Sequence, residues 1–139
     1  MVDASVLAKW VLPGEPYQGK ALRLKEDHIL GLVELCAPSF IVQEAANALW
    51  RAMKLGRIDG KDAEEALKAL GKMKIELHNI RWAEASEGLS LASGLDLTIY
   101  DTSYLSLSNK LQAPLITADE KLLEKAKERF RVLHIKDYS

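Results

Sequence analysis

Along this chain, stretches whose apolar residues recur at helical spacing alternate with short continuous apolar runs, the pattern of helices interleaved with buried strands. Residues 4–12 place Val6, Leu7 and Trp10 at helical spacing and stop before Pro13 and Gly14. Pro16 opens a second helix through Ala21, Leu22, Leu24 and Ile29, closed by Gly31. Residues 32–37 read as a strand, and Pro38 with Ser39 begins the next helix.

That helix, 40–55, carries Ile41, Ala45, Ala48, Leu49 and Ala52 on one stripe at 100° per residue. Glu44, Asn47 and Arg51, spaced three and then four apart, form a polar strip on its shoulder, close enough to the core to border a cleft. Lys54 and Gly56 close it, and Asp59 opens a partner helix facing inward with Ala63, Ala66, Leu67, Leu70 and Met73. The two make a hairpin suited to docking a partner. Residues 75–80 alternate as a half-exposed strand, 83–93 form a small-residue helix ended by Gly94, and 98–109 form a helix with Asp101 near its start. After Pro114 come a buried strand at 115–117, a helix at 119–130 and a last strand at 132–135. Val2 and Asp3 end a first strand that only Met1 precedes, short against the usual five or so residues, so it is either stubby or cut short. This alternation predicts a mainly parallel sheet covered on both faces, a three-layer α/β/α sandwich, in one domain over 1–139.

Composition narrows the class. At 139 residues a chain buries enough surface for one proper core, and 48% hydrophobic with 28% charged residues is globular. Nineteen basic against twenty acidic residues leave a net charge of −1, which excludes coating nucleic acid by bulk charge and leaves only a local basic patch. The single cysteine, Cys36, rules out an internal disulfide and a multi-cysteine zinc site. It reads as a small buried hydrophobe in a reducing compartment. The front carries neither a secretory leader nor a membrane span, so a cytoplasmic protein with no membrane partner is expected.

The chemistry lies in four acids. Asp119 stands where the strand 115–117 gives way to a helix, Asp3 stands after the first strand, and helices carry Glu44 and Asp101. Taken singly, Asp3 and Asp119 read as helix N-caps, Asp101 as a first-turn acid, and Glu44 as a surface residue paired with Arg51. Taken together, they point to one edge: in a parallel sheet the acids after the first and fourth strands approach one another and helices can deliver Glu44 and Asp101 there. Either the four do not converge or a cation sits among them. Two carboxylates about 5 Å apart repel by roughly 3 kcal/mol at an effective dielectric near 20, so a converged quartet calls for a cation. An all-oxygen set, with His28, His78 and His134 read as surface or strand-end residues, favours a hard ion, Mg2+ or Mn2+.

VDASVLAKW at the front, EAANALW in the third helix, YDTSYLSLS and LITADEKLL, in this order, resemble the PIN domains, specifically the VapC-like toxin ribonucleases of prokaryotic toxin and antitoxin pairs. The resemblance spans essentially the whole chain. It departs at the N-terminus, where the family shows a full apolar strand before its first Asp and this chain shows Met1 and Val2. It implies that Asp3, Glu44, Asp101 and Asp119 are the catalytic, metal-holding quartet. Ser5 and Thr117 become hydroxyls beside the metal pocket and Asn47 an outer partner on the Glu44 face. RNA is the implied substrate, cut to a 5′-phosphate and a 3′-hydroxyl; a cognate antitoxin and a homodimer are the implied partners. Arg51, Lys54 and Arg57 are candidate RNA contacts at the rim, with solvated surface charge the equal alternative. Two competing readings remain: an inert PIN-like module that binds RNA or protein, and a receiver-type phosphoacceptor domain. The latter wants adjacent acids after the first strand, where Ala4 and Ser5 stand, and Lys136 after the last strand gives it half a match.

Overall fold

Backbone hydrogen bonding puts the first three residues at the centre of the sheet. The computed structural model describes residues 1–139 and has helices α1 (Ala4–Val11), α2 (Gln18–Ile29), α3 (Ile41–Lys54), α4 (Gly60–Gly71), α5 (Trp82–Leu95), α6 (Ile99–Leu111) and α7 (Glu120–Ala126). Between them run strands β1 (Cys36–Pro38), β2 (Glu76–His78), β3 (Leu115–Thr117) and β4 (Val132–His134), with a closing 3-10 turn at Ile135–Asp137. β1 pairs β2 and β3 pairs β4, both in parallel, with Ala37 opposite Leu77 and Ile116 opposite Leu133. The N-terminal stub joins these halves. Val2 bridges Ile116 in parallel, Asp3 N–H donates to the Ile116 carbonyl at 3.3 Å, and Val2 N–H donates to the Cys36 carbonyl at 3.1 Å. The order is therefore β2, β1, stub, β3, β4, and the chain leaves the stub toward one side first and the other side later. The switch point of such a sheet, where ligands collect, lies between the stub and β3. Asp3 and Asp119 emerge there.

Packing holds this arrangement from both faces, as the three-layer reading expects. α6 packs on β1 and β3, α1 on β3, and α7 on β3 and β4. Val2, Leu24, Leu105, Leu115, Leu122 and Ile135 are wholly buried in the main core. A second cluster of Leu12, Leu49, Ala52 and Ala63 ties the end of α1 to α3 and α4. α6 is unusual in burying Thr102, Ser103 and Ser108, and their hydroxyls are satisfied by carbonyls: Thr102 donates to Gly88 at 2.9 Å and Ser103 to Ile99 at 2.8 Å. Gly88 lets α5 approach this closely, since a Cβ there would stand 3.2 Å from the Thr102 hydroxyl. No helix is long and apolar enough to cross a membrane.

Several sequence expectations need correction. The strand expected at 32–37 is confined to Cys36–Pro38. Leu32 is exposed, and the N–H groups of Leu32 and Val33 both donate to the Asp27 carbonyl, so the apolar run first serves the turn that ends α2 around Gly31, at φ +73°. The strand at 75–80 shrinks to Glu76–His78 at the sheet edge, and the helix at 119–130 ends at Ala126. α2 starts at Gln18, because Tyr17 before it is left-handed, at φ +58°. His134 ends β4 as expected but is buried, its Nδ1 accepting from the Lys136 N–H. Cys36 is half-buried and free.

The central position of the stub carries a consequence. Val2→Ala removes two methyl groups from a fully buried site and should cost roughly 2 kcal/mol of unfolding free energy. Urea denaturation should show a lower midpoint with an unchanged slope.

Candidate active site

Four different elements bring the acids to one place. Asp3 ends the stub and caps α1, its Oδ1 accepting from the N–H groups of Ser5 at 3.1 Å and Val6 at 3.3 Å. Asp119 follows β3 and caps α7, accepting from Lys121 and Leu122 N–H. Asp101 sits in the first turn of α6, which Thr98 caps by accepting the Asp101 N–H at 3.1 Å. Glu44 stands in the first turn of α3. The capping roles expected of Asp3 and Asp119 are real. They orient each carboxylate at the end of the sheet, so capping and site are one arrangement.

All four acids line a single cleft of about 650 Å3, together with Ser5, Asn47, Arg51, Arg57, Lys9 and Tyr104 among others. Asp3 is at its base, only 6% exposed; Glu44 and Asp101 are half-buried, and Asp119 is open to solvent. Both Asp3 oxygens are engaged, Oδ1 by the Ser5 hydroxyl as well as the backbone and Oδ2 by the Thr117 hydroxyl. Thr117 in turn accepts the Asp119 N–H at 3.0 Å, and Ser5 accepts the Ala118 N–H at 2.9 Å, which locks α1 to the end of β3. Glu44 Oε1 accepts from the buried Tyr104 hydroxyl at 2.7 Å, and the Tyr104 ring meets Phe40 edge-on at 5.4 Å.

The charges press on one another. Burial pushes the Asp3 carboxyl up to about 6, against the lowering pull of the Ser5, Thr117 and Val6 hydrogen bonds and with a further push from Glu44. Burial also raises Glu44, eased by Tyr104 and reinforced by Asp101, and raises Asp101, reinforced by Asp119. Burial and then Glu44 raise the Tyr104 phenol, which keeps it a donor. Yet no three carboxylates, histidines or cysteines stand close enough together to form a finished metal cage. The quartet lines one cleft without converging on one point. In donor chemistry the set still fits a hard dication: it is all oxygen, and burial raises the cost of charge on the half-buried Glu44 and Asp101, a cost that a cation would offset.

The PIN domain family model matches residues 1–128. The chain belongs to the PIN domain family. Among curated relatives, Ribonuclease VapC3 of Pyrobaculum aerophilum is 29% identical over 126 residues, covering 90% of this chain and 92% of that one. Exonuclease VapC9 of the same organism is 36% identical over 87 residues, 62% of each chain. The crystal structure of PAE2754 from Pyrobaculum aerophilum superposes with a TM-score of 0.68 at 27% identity, covering 97% of this chain and 89% of that chain. The VapC-like PIN resemblance and the α/β fold read from the sequence are borne out.

Of the other residues singled out in this PIN domain, Arg51 and Arg57 reach the cleft and Lys54 does not; its ammonium lies 5.9 Å over the Trp50 ring instead. Asn47 lines the cleft but is exposed and makes no hydrogen bond to Glu44. Glu44's partner is Tyr104, which the sequence reading passed over, and no ion pair joins Glu44 to Arg51. The signal for Tyr104 was its place three residues after Asp101, one turn along the same helix. Lys9 was also missed, hidden inside an apolar helix pattern.

A raised folded-state pKa means the folded state binds that proton more tightly than the unfolded chain. Its stabilising effect is full below about pH 3.8 and is lost as pH rises through about 6. In chelator, then, the wild type should lose stability over that window. Asp3→Asn, which keeps a capping side chain, should be more stable than wild type by about 2 to 3 kcal/mol at pH 8 and should converge with it near pH 4. Chemical denaturation at the two pH values checks this; a variant less stable than wild type at both contradicts it.

Proposed function

We propose that this PIN domain is the toxin of a VapBC-type pair, a Mg2+- or Mn2+-dependent endoribonuclease working in the cytoplasm. The observation that carries the reading is the gathering of Asp3, Glu44, Asp101 and Asp119 in one cleft at the sheet's switch point. The names of the curated relatives, a ribonuclease and an exonuclease, support nuclease chemistry.

Asp3 and Asp119 would hold the ion most directly, with Glu44 and Asp101 completing the set. A bound dication lowers the pKa of water and stabilises charge on a phosphate under attack. The remaining work belongs to this chain. Ser5 and Thr117 fix both oxygens of Asp3, so its carboxylate cannot rotate away. Tyr104 fixes one oxygen of Glu44 and leaves the other to act. Arg51 at the cleft wall would offset the repulsion between the acids and an incoming backbone, with a smaller share from Arg57, which is paired to Glu15. A shallow cleft of this kind accepts a single strand or a loop rather than a paired duplex.

The antitoxin would dock on the α3–α4 hairpin, where Val42, Trp50 and Leu55 are exposed, and set a basic side chain among the acids. Trp82 and Leu89, exposed on α5, would serve the homodimer.

Asp119→Asn tests the assignment cleanly, because Asn caps α7 as well as Asp and the fold should persist. The wild type should cut a circular RNA, which has no end to start from, only with Mg2+ or Mn2+ present, and should melt higher with Mn2+. The variant should lose at least a hundredfold in cleavage, and its melting temperature should ignore Mn2+. Full activity in the variant, or cutting by wild type in chelator, defeats the proposal.

A further inference from the structure

The cleft is not acidic along its whole length. α1 and α3 run side by side in the same direction: Asp3 and Glu44 stand at their starts, and Leu12 packs against Leu49 and Ala52 at their ends. Six residues on from Asp3, Lys9 lines the same cleft and is only 6% exposed. The chain buries three charged residues to this degree, Asp3, Asp27 and Lys9. Asp3 is held by hydroxyls and Asp27 by Arg23 and the Tyr138 hydroxyl. Lys9 is different: its carbonyl accepts from Gln18, but its ammonium makes no salt bridge and no hydrogen bond in the protein. The one side-chain polar atom sealed from solvent without a partner is Ser106 Oγ, so the unpartnered ammonium keeps its opening onto the cleft. The aliphatic stem is buried and the charged tip is presented.

Across the cleft, Arg51 stands seven residues on from Glu44 and also has no ion pair. Arg57 is less available, tied to Glu15 at 3.1 Å and to the Pro13 carbonyl at 3.3 Å. Helical rise puts the backbone of Lys9 about 9 Å beyond Asp3 and that of Arg51 about 10.5 Å beyond Glu44 along their helices. That displacement runs away from the acids along both helices, so a strand that follows it can set one phosphate at the acids and a neighbouring one at the cations.

We propose that Lys9, with Arg51 opposite, forms a phosphate subsite that holds a backbone phosphodiester next to the scissile one. The inference rests on the RNA-cleaving reading of the cleft and deepens it. A strand laid along α1 and α3 places one phosphate among the acids and a neighbouring phosphate on the cations. The second contact anchors what the first repels, in a chain whose net charge of −1 gives no help at long range.

The test is equilibrium binding of a short, hydroxyl-ended single-stranded oligoribonucleotide to the full chain in chelator, across a salt series. Lys9→Met, which keeps the stem, should bind about tenfold more weakly at low salt, and its plot of log affinity against log salt should be shallower by about 0.7, one phosphate contact on a single strand. Lys9→Arg should keep the wild-type slope, and Lys9→Gln is the second neutral variant should Met misfold. A wild-type slope in the neutral variants overturns the proposal, because a merely structural lysine changes affinity without changing the slope. A slope change confined to an oligonucleotide carrying a terminal phosphate also overturns it, since the contact is then to a strand end. Binding is read without turnover, so RNA that binds through Lys9 and is never cut sinks the nuclease reading alone. RNA that is cut while Lys9 leaves the slope unmoved sinks this one alone.

Discussion

Crowding negative charge into one cleft is the constraint on which the rest of this structure turns. Asp3 is buried at the base with both oxygens occupied, and its carboxyl is still pushed up to about 6. Glu44 presses on Asp3, Asp101 on Glu44, and Asp119 on Asp101, a chain of like charges drawn from elements spread over 117 residues of sequence. Burial of these charges is the larger cost and their mutual repulsion adds to it, against a stability that for most domains is only about 5 to 15 kcal/mol. It persists because the same carboxylates cap helices, accept hydroxyl protons and end the strands that hold the sheet together.

The architecture makes that possible with little material. Three residues at the chain's start link two strand pairs into one parallel sheet and place the switch point beside Asp3. Thr117, at the end of β3, bonds Asp3 on one side and the Asp119 backbone on the other, so strand end and acid pair move as a unit. α6 carries Asp101 and Tyr104 one turn apart, and Tyr104 reaches Glu44 on α3 while packing on Phe40 just before that helix. Buried hydroxyls on α6 and the bare Cα of Gly88 let α5 press against it from outside.

Three of the acids were legible in the sequence because Asp3, Asp101 and Asp119 sit at boundaries that local chemistry marks, an apolar run ending, a capping position, a first helical turn. Glu44 stood out only as part of a polar strip on the shoulder of its helix. The amphipathic stripe of α3 was legible too, since Ile41, Ala45, Leu49 and Ala52 are buried as its periodicity requires. What escaped detection depends on long-range packing. Tyr104 meets Glu44 across 60 residues; its place one turn after Asp101 points to the cleft but not to Glu44 as its partner. Lys9 reads as the polar gap in an apolar helix, although the fold buries it beside the cleft. The run at 32–37 is apolar enough for a strand, but its first residues are spent closing α2, where exposed Leu32 folds back onto the Asp27 carbonyl. His134 reads as a strand end and is one, and the sequence could not show that the Tyr17 ring would cover it edge-on.

A crystal of this protein soaked in Mn2+ and measured at the manganese absorption edge addresses the central claim most directly. An anomalous peak in the cleft, about 2.0 to 2.3 Å from carboxylate oxygens of Asp3 and Asp119 with Glu44 and Asp101 closing around it, is the expected result. Four carboxylates that stay apart, with the anomalous signal elsewhere on the surface, would contradict it.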